Sequence, residues 1–166
     1  MVGIAAYGGY VPRLRLSRKA IVEANAWFNS ALKGNSKDER AICNWDEDAI
    51  TMAVEAGRDC LKPEERGQLK AVYLASTTLP FQDRLNSGVV AEALNLSDNI
   101  ETLDITSSQR AGTSGLIAAA RAAAAGAGPI LFLTAEKRRT REASPQELAY
   151  GDGGAALLLD KGPGIA

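Results

Sequence analysis

The chain has no histidine and only two cysteines in its 166 residues. The first absence excludes a Ser-His-Asp or Cys-His arrangement built from this chain alone. It also removes the commonest zinc ligand. Cys43 and Cys60 have no metal-ligand spacing and are too few for a disulfide framework. Two thiols in a chain of this length suit a reducing compartment. No apolar run approaches the roughly 20 residues of a membrane span. The opening MVGIAAYGGYVPRLRL lacks the basic start and unbroken apolar centre of a signal peptide, so a cytoplasmic location is expected. Neither charge is in excess: Lys+Arg 19 stand against Asp+Glu 20, a net charge of -1. That balance draws neither nucleic acid nor an anionic membrane. GAGPIL and GTSGL lack the glycine spacing of a dinucleotide or phosphate loop.

What is present is an ordinary soluble composition, 46% hydrophobic and 23% charged, in a length that suits one domain. Residues 2–11 read as a first strand, broken by Gly8-Gly9 and stopped by Pro12. Residues 17–32 read as a helix with Ser17 as its cap, and 33–40 as a polar loop. DEDAITMAVEAGRDCL, 46–61, predicts a helix with Asp46, Glu47 and Asp48 in its first turn and Ile50, Val54 and Leu61 on its apolar face. Lys62-Pro63 ends it. Strands are expected at 70–76, 100–106, 129–135 and 154–160. Helices are expected at 85–95 and 110–125, the latter Ala-rich and apolar nearly all round, as in a buried helix. The order is strand, helix, strand, helix, strand, helix, strand, strand. It predicts an α/β domain with a largely parallel sheet.

Some stretches have chemistry in reach. Thr106 to Thr113, TSSQRAGT, joins a strand end to a helix start. Backbone N–H groups at such a turn hold negative charge, including a thioester oxyanion. Spacing alone also fits a polar turn that only caps a buried helix. Gly151-Asp152-Gly153-Gly154 fits either a pocket lining or a tight turn into a strand. Lys137-Arg138-Arg139 with Arg141 fits a nucleotide phosphate or a solvated loop. The loop Ser76 to Arg84 follows a core strand, as the 104–113 turn does. Ligands of open α/β sheets sit beyond such strand ends, so both loops are expected to face one crevice.

GIAAYGGYVPRLRL, NWDEDAITMAVEAGRDCL, YLASTTLPF, DITSSQRAGTSGL and YGDGGAALLL occur in that order along the whole chain. Together they resemble the N-terminal half of the thiolase-like superfamily. They are most similar to archaeal and bacterial 3-hydroxy-3-methylglutaryl-CoA synthases, and more loosely to ketoacyl synthase III. The resemblance implies that residues 1–166 form one βαβαβαββ half of an αβαβα layered sandwich. The second half is then absent, or supplied by another chain. It implies an acyl-CoA thioester as substrate, no covalently bound cofactor and no metal. Implied partners are a second copy or a completing chain, with a zinc-ribbon and OB-fold protein as a further one. The 100–106 strand would lie at the sheet edge, open to self-association.

The family's acyl-accepting cysteine matches Gln109, and its general-acid glutamate falls at about Thr77. Its histidine would lie in the other half. The catalytic candidates are therefore Gln109, Ser108 and Thr77, with Arg110, Gly151, Asp152 and Gly153 toward the coenzyme. A carboxamide cannot be acylated as a thiolate can, but it donates a hydrogen bond to a thioester carbonyl or an enolate. The expected activity is making, breaking or decarboxylating a carbon–carbon bond next to a thioester. The alternative is a non-catalytic subunit that binds acyl-CoA or scaffolds a partner.

Overall fold

Short apolar runs rich in Val, Leu and Ile form the centre of the fold, because strands covered on both faces need no polar alternation. The computed structural model describes residues 1–165. The chain runs β1 (Val2–Tyr10), β2 (Leu14–Ser17), α1 (Arg18–Asn25), β3 (Glu39–Ile42), α2 (Ala49–Cys60), β4 (Ala71–Ala75) and α3 (Asn86–Ala93). It continues β5 (Glu101–Ile105), α4 (Ala111–Ala125), β6 (Ile130–Glu136), α5 (Pro145–Ala149) and β7 (Gly153–Lys161). The main sheet has the order β1-β7-β6-β4-β5, which puts β5 at an edge.

Side chains alternate across this sheet. Val72, Leu74, Leu131, Leu133 and Leu158 pack beneath α2 and α3. Tyr73, Ala75, Ile130, Phe132 and Leu159 pack against α4. The result is a helix layer, a sheet and a helix layer. Leu74, Leu131 and Leu133 are fully buried, and each such side chain contributes about 1.5–3 kcal/mol. Gly115 lets α4 approach closely: a Cβ there would lie 2.8 Å from a ring carbon of Phe132. The helix ends at Gly126, whose φ of 98° suits only a residue without a side chain.

Several expectations are corrected. The sheet is mixed, because β7 runs antiparallel to both β6 and β1. No crossover helix on a sheet face separates β6 from β7, so the chain returns in the opposite sense. The helix expected over 17–32 stops at Asn25. The Asn25 amide donates back to the Ile21 carbonyl, and Asn29 caps a separate 3₁₀ turn at Ser30–Asn35. Ser17 holds the cap position of α1 without a side-chain bond. The polar loop 33–40 ends in β3, which pairs with β2. Asp46 and Glu47 lie ahead of α2 rather than in its first turn; Asp48 caps it in a reciprocal box with Thr51. Helix α4 is buried only at Ala111, Gly115, Ala119 and Ala123. Ile117 on its other side is 48% exposed, because the five-stranded sheet covers only one face of the helix.

Candidate functional site

Parallel strands β5, β4 and β6 end at one level, with Ala75 in register with Ile105 on one side and Thr134 on the other. The loops that leave these ends build the site. After β5 the backbone turns sharply. Ser107 has a φ of 68°, the left-handed region that a side chain disfavours. Ser108 then closes the turn: its Oγ accepts the Arg110 N–H at 3.1 Å, and its carbonyl accepts the Ala111 N–H at 2.9 Å. Arg110 takes the N-cap position of α4 with no side-chain cap. Helix geometry leaves the next N–H groups, those of Gly112 and Thr113, without an intrahelical acceptor. Ser108, Gln109 and Arg110 are all exposed, and the Gln109 amide stands at the tip of the turn.

Thr77 follows β4 and meets a carboxylate. Glu136 Oε1 accepts the Thr77 N–H at 2.7 Å, and Glu136 Oε2 accepts the Thr77 hydroxyl at 2.9 Å. The Thr78 hydroxyl donates to the same Oε2 at 3.1 Å. Glu136 ends β6 and lies opposite Gly153 of β7. The sequence analysis gave Glu136 no place in the site. A carboxylate ending a buried strand was the available signal.

Asp152 is a fixed element of the wall. Its Oδ2 accepts the Cys43 N–H at 2.8 Å, and its own N–H donates to the Ala41 carbonyl at 3.1 Å. Gly153 belongs to β7, so the turn comprises Gly151 and Asp152 alone. A cleft of about 920 Å³ has Thr77, Thr78, Asp152, Lys137, Arg138 and Arg139 in its wall. The β2–β3 hairpin adds Leu16, Arg40 and Ile42 to it, a contribution the sequence reading missed. Lys137 Nζ donates to the Asn44 carbonyl at 3.3 Å, and the Arg138 guanidinium lies 5.1 Å from the Tyr150 ring centre. Arg139 is exposed. A second cleft of about 630 Å³ contains Thr77, Phe81, Arg84, Asp104, Thr106 and Ser107. Thr77 thus lines both. The structure brings Thr77 and Asp152 to one cleft and sets Ser108, Gln109 and Arg110 on the exposed turn beyond Ser107.

Neither cysteine offers a ready nucleophile. Burial and the neighbouring Asp152 carboxylate push the Cys43 thiol up to about 12. Burial pushes Cys60 up to about 11. A thiol of that kind carries almost no thiolate at neutral pH. Among the described residues, no group of three or more acidic or sulfur ligands is placed to hold a metal. No helix among them is long and apolar enough to cross a membrane.

Over 172 residues the chain is 32% identical to the hydroxymethylglutaryl-CoA synthase of Archaeoglobus fulgidus, covering 98% of this chain and 49% of that protein. Its identity to the synthase of Pyrococcus horikoshii is also 32%, over 95% of this chain and 45% of the relative. A crystal structure of HMG-CoA synthase complexed with CoA superposes with a TM-score of 0.83 at 20% identity, covering 98% of this chain and 42% of that one. The chain has the thiolase-like fold and is similar to hydroxymethylglutaryl-CoA synthases. A 3-oxoacyl-(acyl-carrier-protein) synthase III has the same thiolase-like fold, with a TM-score of 0.81 at 20% identity over 99% of this chain and 51% of its own. The chain spans about half the length of the curated relatives it matches. No family model matches it. Nearly the whole chain aligns with these hydroxymethylglutaryl-CoA synthases.

Proposed function

We propose that this chain handles an acyl-CoA thioester at the ends of β4, β5 and β6. The reaction makes, breaks or decarboxylates a carbon–carbon bond next to the thioester, with Gln109 in place of an acyl-accepting cysteine. The exposed turn from Ser107 to Arg110 carries this reading. It holds a side chain in a disfavoured backbone conformation and opens directly onto the N-terminus of α4. Gln109 and Ser108 are the groups assigned to the thioester carbonyl or its enolate. Helix N–H groups there stabilise developing negative charge. Arg110 and Asp152, with Gly151 and Gly153 beside it, are assigned to the coenzyme side of the site, and Arg139 to a phosphate. The CoA bound by the neighbouring synthase structure supports this choice of ligand.

The open face of α4 and the half-length match support a second, completing half, either further along the same polypeptide or on another chain. A zinc-ribbon and OB-fold protein is the further partner to seek in co-purification. A dimer formed through β5 suits its edge position, and two unpaired thiols suit the cytoplasm.

The test uses the protein from its native host, with any chain that completes it. It is incubated with acetyl-, acetoacetyl- and malonyl-CoA, and free CoA and CO₂ are followed by mass spectrometry. Turnover that falls in Gln109→Ala supports the reading; a rate unchanged in Gln109→Ala removes Gln109 from it. The absence of any usable thiol favours a second reading, a subunit that binds acyl-CoA without transforming it. Tight CoA binding without turnover would establish that one.

A further inference from the structure

The chain has no histidine, so the proton-transfer groups that it brings to these clefts itself are mainly carboxylates and hydroxyls. Most carboxylates around the strand ends are held by N–H groups, which do not pass on their protons. Asp48 accepts the Thr51 N–H, Asp152 that of Cys43, and Asp104 those of Asn86 and Ser87. Glu136 differs, because two of its hydrogen bonds come from hydroxyls, those of Thr77 and Thr78. The Thr78 oxygen already accepts the Lys137 N–H at 3.0 Å. The Thr77 oxygen accepts from no protein group among the described residues, and Thr77 lines both clefts. Opposite Glu136 in the sheet stands Gly153, with no side chain to compete for the carboxylate.

We propose that Thr77 and Glu136 form the proton-transfer pair of this site, acting on the α-carbon of an acyl-CoA thioester. Thr77 is the catalytic residue that meets the acyl group, and Glu136 is the positioning residue and proton acceptor behind it. This inference rests on the acyl-CoA reading above. In the forward step the α-carbon–hydrogen bond breaks and its proton passes to Thr77 Oγ1. Thr77 gives its own proton to Glu136 Oε2 across the 2.9 Å hydrogen bond. The electron pair stays on the substrate as the thioester enolate. The reverse step returns a proton to carbon, so the pair exchanges α-hydrogens with solvent even without a second substrate.

The experiment is deuterium wash-in to the methyl group of acetyl-CoA in D₂O, read by mass spectrometry, with acetyl-CoA binding measured in parallel by calorimetry. It uses the protein from its native host, with any chain that completes it. Wild type exchanges. Thr77→Val and Glu136→Gln each slow exchange roughly 10²–10⁴-fold while acetyl-CoA still binds. Thr77→Ser recovers exchange to within about tenfold of wild type. The double variant Thr77→Val/Glu136→Gln is no slower than either single one, because the two residues act as a unit. A purely structural Glu136 would instead make the losses multiply. Exchange that persists in Glu136→Gln overturns the inference, as do multiplying losses or a wild type that binds acetyl-CoA without exchanging it. A wild type that does not bind acetyl-CoA at all overturns the acyl-CoA reading itself.

Discussion

Asn86 gives both its main-chain N–H and its side-chain amide to one oxygen of Asp104, at 2.7 and 2.8 Å. The Ser87 N–H takes the other oxygen at 2.7 Å. This fastens the end of β5 to the start of α3. Asn86 also accepts the Phe81 N–H at 3.1 Å and donates to the Phe81 carbonyl at 2.9 Å. The loop that closes one side of the second cleft therefore hangs on a single carboxylate.

Burial pushes the Asp104 carboxyl up, and the hydrogen bonds from Asn86 and Ser87 outweigh that effect, so it lies below its ordinary value. A depressed carboxyl stabilises the fold above its unfolded pKa of about 3.9. That contribution is lost as pH falls through the lower folded value. Asp104→Asn is expected to cost about 2 kcal/mol at neutral pH, the range for a buried hydrogen bond to a charged group. The difference from wild type should narrow below about pH 4. Urea unfolding of both proteins at neutral and acid pH checks it.

Close packing of β1 on α2 sets a second expectation. A Cβ on Gly8 would lie 2.4 Å from the Cys60 nitrogen and 2.6 Å from the Ala56 carbonyl oxygen, and neither backbone can yield. Gly8→Ala should destabilise by about 3 kcal/mol, the upper end for overpacking. Gly67 has nothing within 4 Å of a built Cβ, so Gly67→Ala should change stability by no more than about 0.5 kcal/mol. Thermal unfolding of the pair separates a steric cost from a general intolerance of alanine.

Thiol reactivity tests the electrostatics around Cys43 and Cys60. With these thiols pushed up to about 12 and about 11, a disulfide reagent at pH 8 should label the native protein slowly. Gln109→Cys should label quickly, because position 109 is exposed at the tip of its turn. Its stability should stay within about 0.5 kcal/mol of wild type. Fast labelling of the wild type would contradict the raised thiols of Cys43 and Cys60.

Charge on the wall of the larger cleft supports the fourth expectation. Arg139 is exposed there, whereas Lys137 is tied to backbone carbonyls and Arg138 lies over Tyr150. Arg139→Ala should weaken CoA binding by about 1 kcal/mol, roughly fivefold, and the loss should shrink as salt rises. Titration calorimetry at low and high ionic strength reads both effects.

Much of this molecule is legible without coordinates. The runs AVYLA and ILFLT are strands because their apolar residues have no polar alternation, and both are buried throughout or nearly so. The strand-and-helix order of the main sheet follows from such stretches. What escaped is local competition and long-range contact. LRLS and ERAI are four-residue strands whose charges hide their pairing. Asn25 and Asn29 end one helix and start another through side-chain bonds that helix periodicity does not register. The beginning of α2 was readable from Asp48 and Thr51, a capping pair overlooked beside the run of acidic residues. The turn after β5 and Asp152 were singled out from their glycines and polar residues. Glu136 was not, because it reaches Thr77 across 59 residues of sequence. Only the parallel register of β4 and β6 brings them together.

Amide hydrogen exchange with and without acetyl-CoA, on the protein with any chain that completes it, tests the location of the site most directly. The expected result is protection confined to residues 76–82, 106–113, 137–139 and 151–153. A third hollow of about 780 Å³ lies on the outer side of α2 and α3, with Tyr10, Leu14, Ile50 and Val89 in its wall. Protection there, with the strand-end loops unchanged, would contradict the account.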